Sequence, residues 1–322
     1  MKSLKPTVLV AAALALAPML GQAQAFPDKA ITFVVPFAAG TATDQIARAL
    51  GNGITAETKQ PVVIDNKAGA SGFIASQQVA KAPADGYTVL ITTNTTHAAN
   101  EHLFKKLPYD PVKDYAPVAA LGKGGQIMVV NPSFPARSVA EFVALAKKEP
   151  GKYSFGSGSS SSRMAGELLQ QMAGIKLLHV PYKSNTLAVT DLLGGQIHMM
   201  ITDTATGLPQ VKAGKLRALG VSGAQRSPLA PDVPTIAEAG VKGYEMGYWF
   251  AAYAPAKTPP AVVKRLNELL VKAAKSEAAK TAFYEPTGTE VFTSSPEELA
   301  KFQAAESQKW GRIVKAAGIE AE

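Results

Sequence analysis

Short apolar strands alternate with amphipathic helices along most of this chain, and that alternation restricts it to α/β architectures. Residues 31–36 (ITFVVP) form a β-branched, almost wholly apolar run, as in a strand buried on both faces. Residues 44–54 place Ile46, Ala47, Leu50 and Ile54 at helical spacing. A strand over 62–64, a helix over 73–79 and a strand over 88–92 follow. This βαβαβ order predicts a mostly parallel sheet with helices on its faces.

Residues 108–117 (PYDPVKDYAP) break the pattern and read as a loop. Two strands, 118–121 and 127–131, then carry the chain into a second unit. There Ser138 and Glu141 form a capping box for a helix ending near Lys147. Strands over 153–155, 177–180, 199–202 and 216–221 alternate with helices over 163–172 and 188–193. Residues 244–254 read as the extended segment that crosses back. Pro259-Pro260 opens one further helix, and Ser295-Pro296-Glu297-Glu298 opens the last, with Ser as cap and Glu three residues on. A length of 322 residues exceeds the usual single core. The expected division is residues 26–124 with 246–322 as one α/β domain and 125–245 as the other. Two crossing segments would form a hinge over a cleft.

Lys2, Lys5, the apolar run 8–20 and Ala23-Gln24-Ala25 describe a secretory signal peptide over residues 1–25. The apolar run is shorter than the roughly 20 residues that a membrane-spanning helix needs. The chain has no cysteine, which excludes disulfides, thiolate metal sites and a lipid-bearing cysteine after the signal. Periplasmic location is the expectation. The formal charge is +8, of which Lys2 and Lys5 supply two. The other basic residues are scattered, so nucleic-acid binding is not expected.

Two segments share one plan, one in each expected domain. Phe37-Ala38-Ala39-Gly40-Thr41-Ala42-Thr43 leads into Asp44, and Gly156-Ser157-Gly158-Ser159-Ser160-Ser161-Ser162 leads into Arg163. Each follows a strand and precedes a helix. Small residues let backbone approach a ligand, and the first N–H groups of a helix lack internal partners at its positive end. Such a site suits a carboxylate. Thr41, Ser159, Ser160 and Ser162 add hydroxyls. Either loop alone reads as an ordinary flexible turn; the matched pair reads as the two jaws of a cleft. Asp44 is both a first-turn acid for its helix and a lining candidate. Arg163, whose charge opposes the helix dipole, is placed to meet a second carboxylate.

Enzyme motifs are sparse. The sequence has neither a Gly-x-Ser-x-Gly elbow nor a phosphate loop. His97 and His102 lie five apart with no acidic cluster, so no metal and no cofactor are expected. A binding protein rather than an enzyme is therefore expected. A sensor subunit reporting ligand occupancy and a periplasmic serine hydrolase remain as alternatives.

Many segments together resemble the tripartite tricarboxylate transporter receptors, the Bug or TctC-like substrate-binding proteins. They are FPDK at 26–29, VPF at 35–37 with Gly40 and Asp44, NKAGA at 66–70 and AKAPADGYT at 80–88. Thr96-His97 with Asn100, AGE at 165–167, VPYK at 180–183, DLLGGQ at 191–196, and PDVPT at 231–235 with EAG at 238–240 complete the set. Their order and spacing carry the resemblance over nearly the whole chain after Phe26. It implies a type II periplasmic-binding fold, in which two α/β domains are joined by two crossing strands. It further implies a monomeric receptor that holds a ligand carboxylate between the loops, partly through water, and delivers it to a membrane permease. Carried over by position, Phe37, Ala39, Gly40, Thr41, Ala42 and Asp44 form one jaw. Gly158, Ser159, Ser160, Ser162 and Arg163 form the other, and Thr95, Thr96, His97 and Asp203 line the cleft. The chain departs from the family at Ala38-Ala39-Gly40-Thr41, where Pro-Gly-Gly is usual, and at Arg163, where histidine is common. Both departures bear on the ligand, and the arginine points to a di- or tricarboxylate, aliphatic or aromatic.

Overall fold

A computed structural model describes residues 26–316 and 318–321, and the signal peptide expected over residues 1–25 lies outside them. The first unit opens with β1 (Ile31–Val35), α1 (Ala42–Thr58), β2 (Val62–Asn66), α2 (Phe73–Ala80) and β3 (Thr88–Thr93). A π turn, Thr95–Ala99, runs into α3 (Asn100–Leu103), and β4 (Tyr115–Val130) leaves the unit. The second unit holds α4 (Val139–Lys148), β5 (Ser154–Ser157), α5 (Ser160–Ala173), β6 (Leu178–Pro181) and α6 (Asn185–Leu193). It ends with β7 (Met199–Asp203), α7 (Thr204–Lys212) and β8 (Arg217–Val221). Strand β9 (Gly247–Pro255) returns to the first unit. There follow α8 (Pro260–Lys275), α9 (Glu277–Ala279), α10 (Glu285–Thr287) and α11 (Pro296–Ala316).

The strand order is β2-β1-β3-β9-β4-β7-β5-β6, with β8 also on β4. The two outer groups are parallel, as the alternation predicts: β1 with β2 and β3, and β5 with β6 and β7. The centre is antiparallel, because β4 and β9 cross between the units in opposite directions. Both faces of β1 are buried. Ile31, Phe33 and Val35 join Ile46 and Leu50 of α1 and Leu266 and Leu270 of α8 in one core. Val34 turns the other way, towards Ala75 and Val79 of α2. Side-chain alternation along a strand puts these residues on opposite faces, which explains the continuous apolar run.

One expectation is revised, and one element went unread in the sequence. The strands expected over 118–121 and 127–131 are one strand of 16 residues. Gly122, Gly124 and Gly125 interrupt the apolar pattern but stay extended and pair with Phe250, Tyr248 and Gly247. The helical segment after β3 carried no amphipathic signal. Its Thr95, Thr96, His97 and Asn100 are polar yet fully buried, so no apolar stripe marks it. The Ser138 cap forms as expected, accepting Glu141 N–H at 3.1 Å, but the Glu141 carboxylate reaches back to Arg137 N–H instead. The last helix has the full reciprocal box between Ser295 and Glu298.

Ser222 staples the point where both strands cross. Its hydroxyl accepts Gln126 N–H at 2.6 Å and donates to the Met246 carbonyl at 2.5 Å, while its own N–H and C=O pair with Gln126 and Met246. Ser222→Ala leaves a buried N–H and a buried C=O short of a partner, so a loss of about 1–3 kcal/mol is expected. Denaturant unfolding checks this; an unchanged midpoint would mean that the crossing does not depend on the staple.

Candidate ligand-binding cleft

The first jaw is the turn from β1 into α1. Asp44 is buried at 2% exposure and is fully engaged. It accepts Gly40 N–H at 2.9 Å, Arg48 Nε at 3.0 Å and Asn66 Nδ2 at 3.0 Å. Asn66, at the end of β2, also donates to the Phe37 carbonyl. Burial pushes the Asp44 carboxyl up, but the Arg48, Gly40 and Asn66 hydrogen bonds outweigh it and hold it below the usual carboxylate value. Asp44 therefore braces the loop from behind.

The helix it braces has no side-chain cap. Thr41 occupies the cap position, yet its hydroxyl and N–H both turn back to the Ala38 carbonyl. The N–H groups of Ala42, Thr43 and Asp44 have no acceptor among the described residues. A 17-residue helix thus presents unsatisfied donors and the positive end of its dipole to the cleft.

The second jaw is the turn from β5 into α5. Gly158 fits because its position has no room for a side chain: a Cβ would lie 1.8 Å from the Ser184 backbone. Its N–H donates to Asn185 Oδ1 at 3.0 Å, and Asn185 Nδ2 donates to Asp203 Oδ2 at 3.0 Å. Asp203 also caps α7 through Thr206 N–H at 2.8 Å and the Thr206 hydroxyl at 2.7 Å. Ser159 caps its own helix by accepting Ser162 N–H, and Ser162 donates to the Ile201 carbonyl. The Ser160 hydroxyl reaches across the cleft to Asn100 Oδ1 at 2.8 Å, a direct clasp between the two units.

Between the jaws lie two connected chambers. The inner one, about 40 Å³, is lined by Phe37, Thr41, Ala42, Thr43, Gly158, Ser159 and Asp203, with Thr93, Gln126, Ser161, Asn185, Tyr248 and Phe250. At about 10–15 Å³ per water it holds about three or four waters, or one compact polar group. The outer one, about 400 Å³, opens past Phe37, Gly158 and Ser159 towards Ser160, Arg163, Phe104, His179, Tyr182 and Lys183. Arg163 is about one-fifth exposed, with Nε 4.0 Å from Glu167 Oε1. Burial raises the Glu167 carboxyl against the opposing pull of Arg163 and Gln170.

The structure brings Phe37, Thr41, Ala42, Gly158, Ser159, Ser160, Arg163 and Asp203 to the two chambers. Ala39 and Gly40 lie on the outside of their turn and are exposed; Asp44 and Ser162 brace the jaws from behind. Thr95, Thr96 and His97 line neither chamber. They belong to the π turn beneath it, at 0–1% exposure. His97 stacks on Tyr253 at 3.8 Å, its Nδ1 lies 2.8 Å from the Thr96 hydroxyl, and burial lowers its pKa to about 3, so it stays neutral. Sequence reasoning missed Asn185, Thr93, Gln126, Tyr248 and Phe250. The last two had a usable signal, since residues 248 and 250 of an extended crossing segment share one face. Asn185 follows a third strand–turn unit, but its role depends on contacts distant in sequence.

The comparisons identify the family and the fold. The family model described as "Tripartite tricarboxylate transporter family receptor" matches residues 46–319. Protein BugT of Bordetella pertussis is 34% identical over 299 residues, covering 92% of this chain and 91% of that protein. A Pseudomonas sp. (strain P51) protein from the tcbD-tcbE intergenic region is 37% identical over 313 residues, 95% and 93% of the two chains. Among solved structures, an R. palustris protein with adipate superposes with a TM-score of 0.89 at 36% identity, covering 92% of this chain and all of that one. MatC from Rhodopseudomonas palustris with bound malate gives 0.85 at 30%, covering 90% of this chain and all of that one.

Asp44 has a lowered pKa in the folded state, so its contribution to stability is complete above about pH 4 and is lost as pH falls below that. Asp44→Asn is expected to lower stability at neutral pH and to flatten the acid limb. Thermal melts from pH 7 to pH 3 read both effects; parallel acid limbs would remove Asp44 from the account.

Proposed function

The chain belongs to the tripartite tricarboxylate transporter receptor family, and from that premise we propose that it is a periplasmic receptor for a small organic carboxylate. It delivers that ligand to the membrane permease of such a transporter. The observation that carries the reading is the uncapped α1 N-terminus, whose Ala42 and Thr43 line the inner chamber together with Gly158, Ser159 and Ser161 of the serine turn. One ligand carboxylate fills the inner chamber, accepting from the N–H groups of that N-terminus and from the Ser159–Ser161 turn, with water completing the set. Thr41, Ala42, Gly158 and Ser159 form the contact surface, while Asp44 and Asp203 position it. No helix among the described residues is long and apolar enough to cross a membrane, which fits a receptor rather than a channel subunit.

The rest of the ligand extends into the outer chamber. Phe37, Phe104 and Tyr182 supply apolar surface there, and Arg163, His179 and Lys183 supply cationic or hydrogen-bonding groups. A dicarboxylate with its second carboxylate near Arg163 fits this lining. The adipate and malate bound by the R. palustris relatives are of that class. The two units close on the ligand by bending β4 and β9 near residues 124–125 and 245–246, so that 26–124 with 246–322 moves against 125–245.

A thermal-shift screen of aliphatic and aromatic mono- and dicarboxylates tests the reading. At 100 times Kd a ligand adds about 2.7 kcal/mol of stability, a melting shift of several degrees. No shift with any carboxylate would defeat the proposal. Arg163→Ala is expected to weaken the best dicarboxylate about 10-fold or more and its monocarboxylate analogue far less. Equal losses would place the second carboxylate elsewhere.

A further inference from the structure

Behind the inner chamber, four hydroxyl groups form a continuous buried chain between the two units. Thr204 Oγ lies 3.1 Å from the Tyr248 hydroxyl, which lies 2.9 Å from Thr289 Oγ. Thr289 Oγ lies 2.8 Å from Thr287 Oγ, and Thr287 is 2.7 Å from the Phe283 carbonyl. All four side chains are at 4–5% exposure.

Thr287 has one proton, which it presents to the Phe283 carbonyl and to Thr289 Oγ, and in the Thr289–Tyr248 and Tyr248–Thr204 pairs either hydroxyl can donate. Burial pushes the Tyr248 phenol up to about 12, and the group stays a donor at any physiological pH. Thr204 ends the chain, and without its hydroxyl the buried Tyr248 hydroxyl keeps Thr289 alone as a hydroxyl partner.

The location makes this chain more than core packing. Thr204 opens α7 in the second unit, directly after Asp203, which holds Asn185 and through it Gly158. Tyr248 lies on the crossing strand β9 and lines the inner chamber. Its ring covers Gly124 of the other crossing strand, where a Cβ would lie 2.5 Å from the phenol oxygen. Thr289 belongs to the segment that pairs with β4 through Lys123 and Glu290, and its methyl packs on Gly122. A groove of about 640 Å³, lined by both units, opens behind the crossing strands.

We infer that the Thr204–Tyr248–Thr289–Thr287 hydroxyl chain is a latch that stabilises the closed arrangement of the two units, with Tyr248 as the residue that positions Thr204 against the crossing strands. This rests on the binding reading above. The Thr204–Tyr248 bond is the one that opening breaks, since Thr204 moves with the second unit. Thr289 holds the phenol hydroxyl in place from the other side.

Thr204→Val and Thr289→Val test the latch, because neither residue lines the two chambers. With adipate as probe, each is expected to weaken binding about 3- to 10-fold, the worth of one buried hydrogen bond, through faster dissociation. Thr204→Ser, which keeps the hydroxyl, is expected to restore parental dissociation. The double variant is expected to be no weaker than the worse single one, since both break one chain. Unchanged dissociation in Thr204→Val, additive losses in the double variant, or failure of serine to rescue would each overturn the inference. A fluorophore pair, one on each unit, gives a readout that needs no ligand: Thr204→Val is expected to shift the ligand-free protein towards the longer distance. An unshifted distribution overturns the latch even if no carboxylate binds, whereas silence of the parent chain towards every carboxylate overturns only the binding reading.

Discussion

Three backbone N–H groups at the start of α1 have no acceptor among the described residues, and the arrangement of the cleft follows from that. Several other helices carry a side-chain cap, while α2, α3, α8 and α10, like α1, do not. Ser138, Ser159, Ser184, Asp203 and Ser276 each accept a backbone N–H at the start of a helix. The first turn of α1 contains an acid suited to the same task, but Asp44 is turned away and spent on Gly40, Arg48 and Asn66. Its negative charge is matched by Arg48 at 3.0 Å. The helix end therefore stays both electropositive and short of acceptors. Unsatisfied buried donors are costly, so a fold that keeps them gains by receiving an anion.

The second unit supplies the opposing wall, and its geometry is set from behind in the same manner. Asp203 is consumed by α7 and Asn185, and Asn185 fixes Gly158. Two acids near the cleft thus act as braces: Arg48 matches the charge of Asp44, while Asp203, which lines the inner chamber, accepts from Asn185 and Thr206. The units are joined by β4 and β9, stapled by Ser222 and free of bulky side chains at Gly122, Gly124 and Gly125. The Ser160–Asn100 clasp in front and the hydroxyl chain behind are both single hydrogen-bonded contacts, each worth little alone. Small differential energies of this size are what a reversible closure needs.

Much of this was legible in the residues. The apolar runs in β1 and β3 and the helical spacing in α1 set the α/β alternation, because burial on both faces leaves no other pattern. The two small-residue turns marked the jaws, since close backbone approach and free helix donors require small side chains. Gly158, jammed against Ser184, is the strongest instance. Other features were not legible. The continuous β4 was hidden by glycines that stay extended through pairing with β9. His97 looked like a cleft residue but lies in the core against Tyr253, since a polar residue in an all-buried turn has no periodic signature. The roles of Asn185, Tyr248 and Thr289 depend on partners 27 to 44 positions away, which local reading does not reach.

The central claim is that the bare N-terminus of α1 receives a ligand carboxylate. A crystal structure of the chain with adipate tests it most directly. One carboxylate is predicted in the inner chamber, with an oxygen about 3 Å from the N–H groups of the α1 first turn and the serine turn closed over it. A ligand bound wholly in the outer chamber, with those N–H groups still facing water or empty space, would contradict the account.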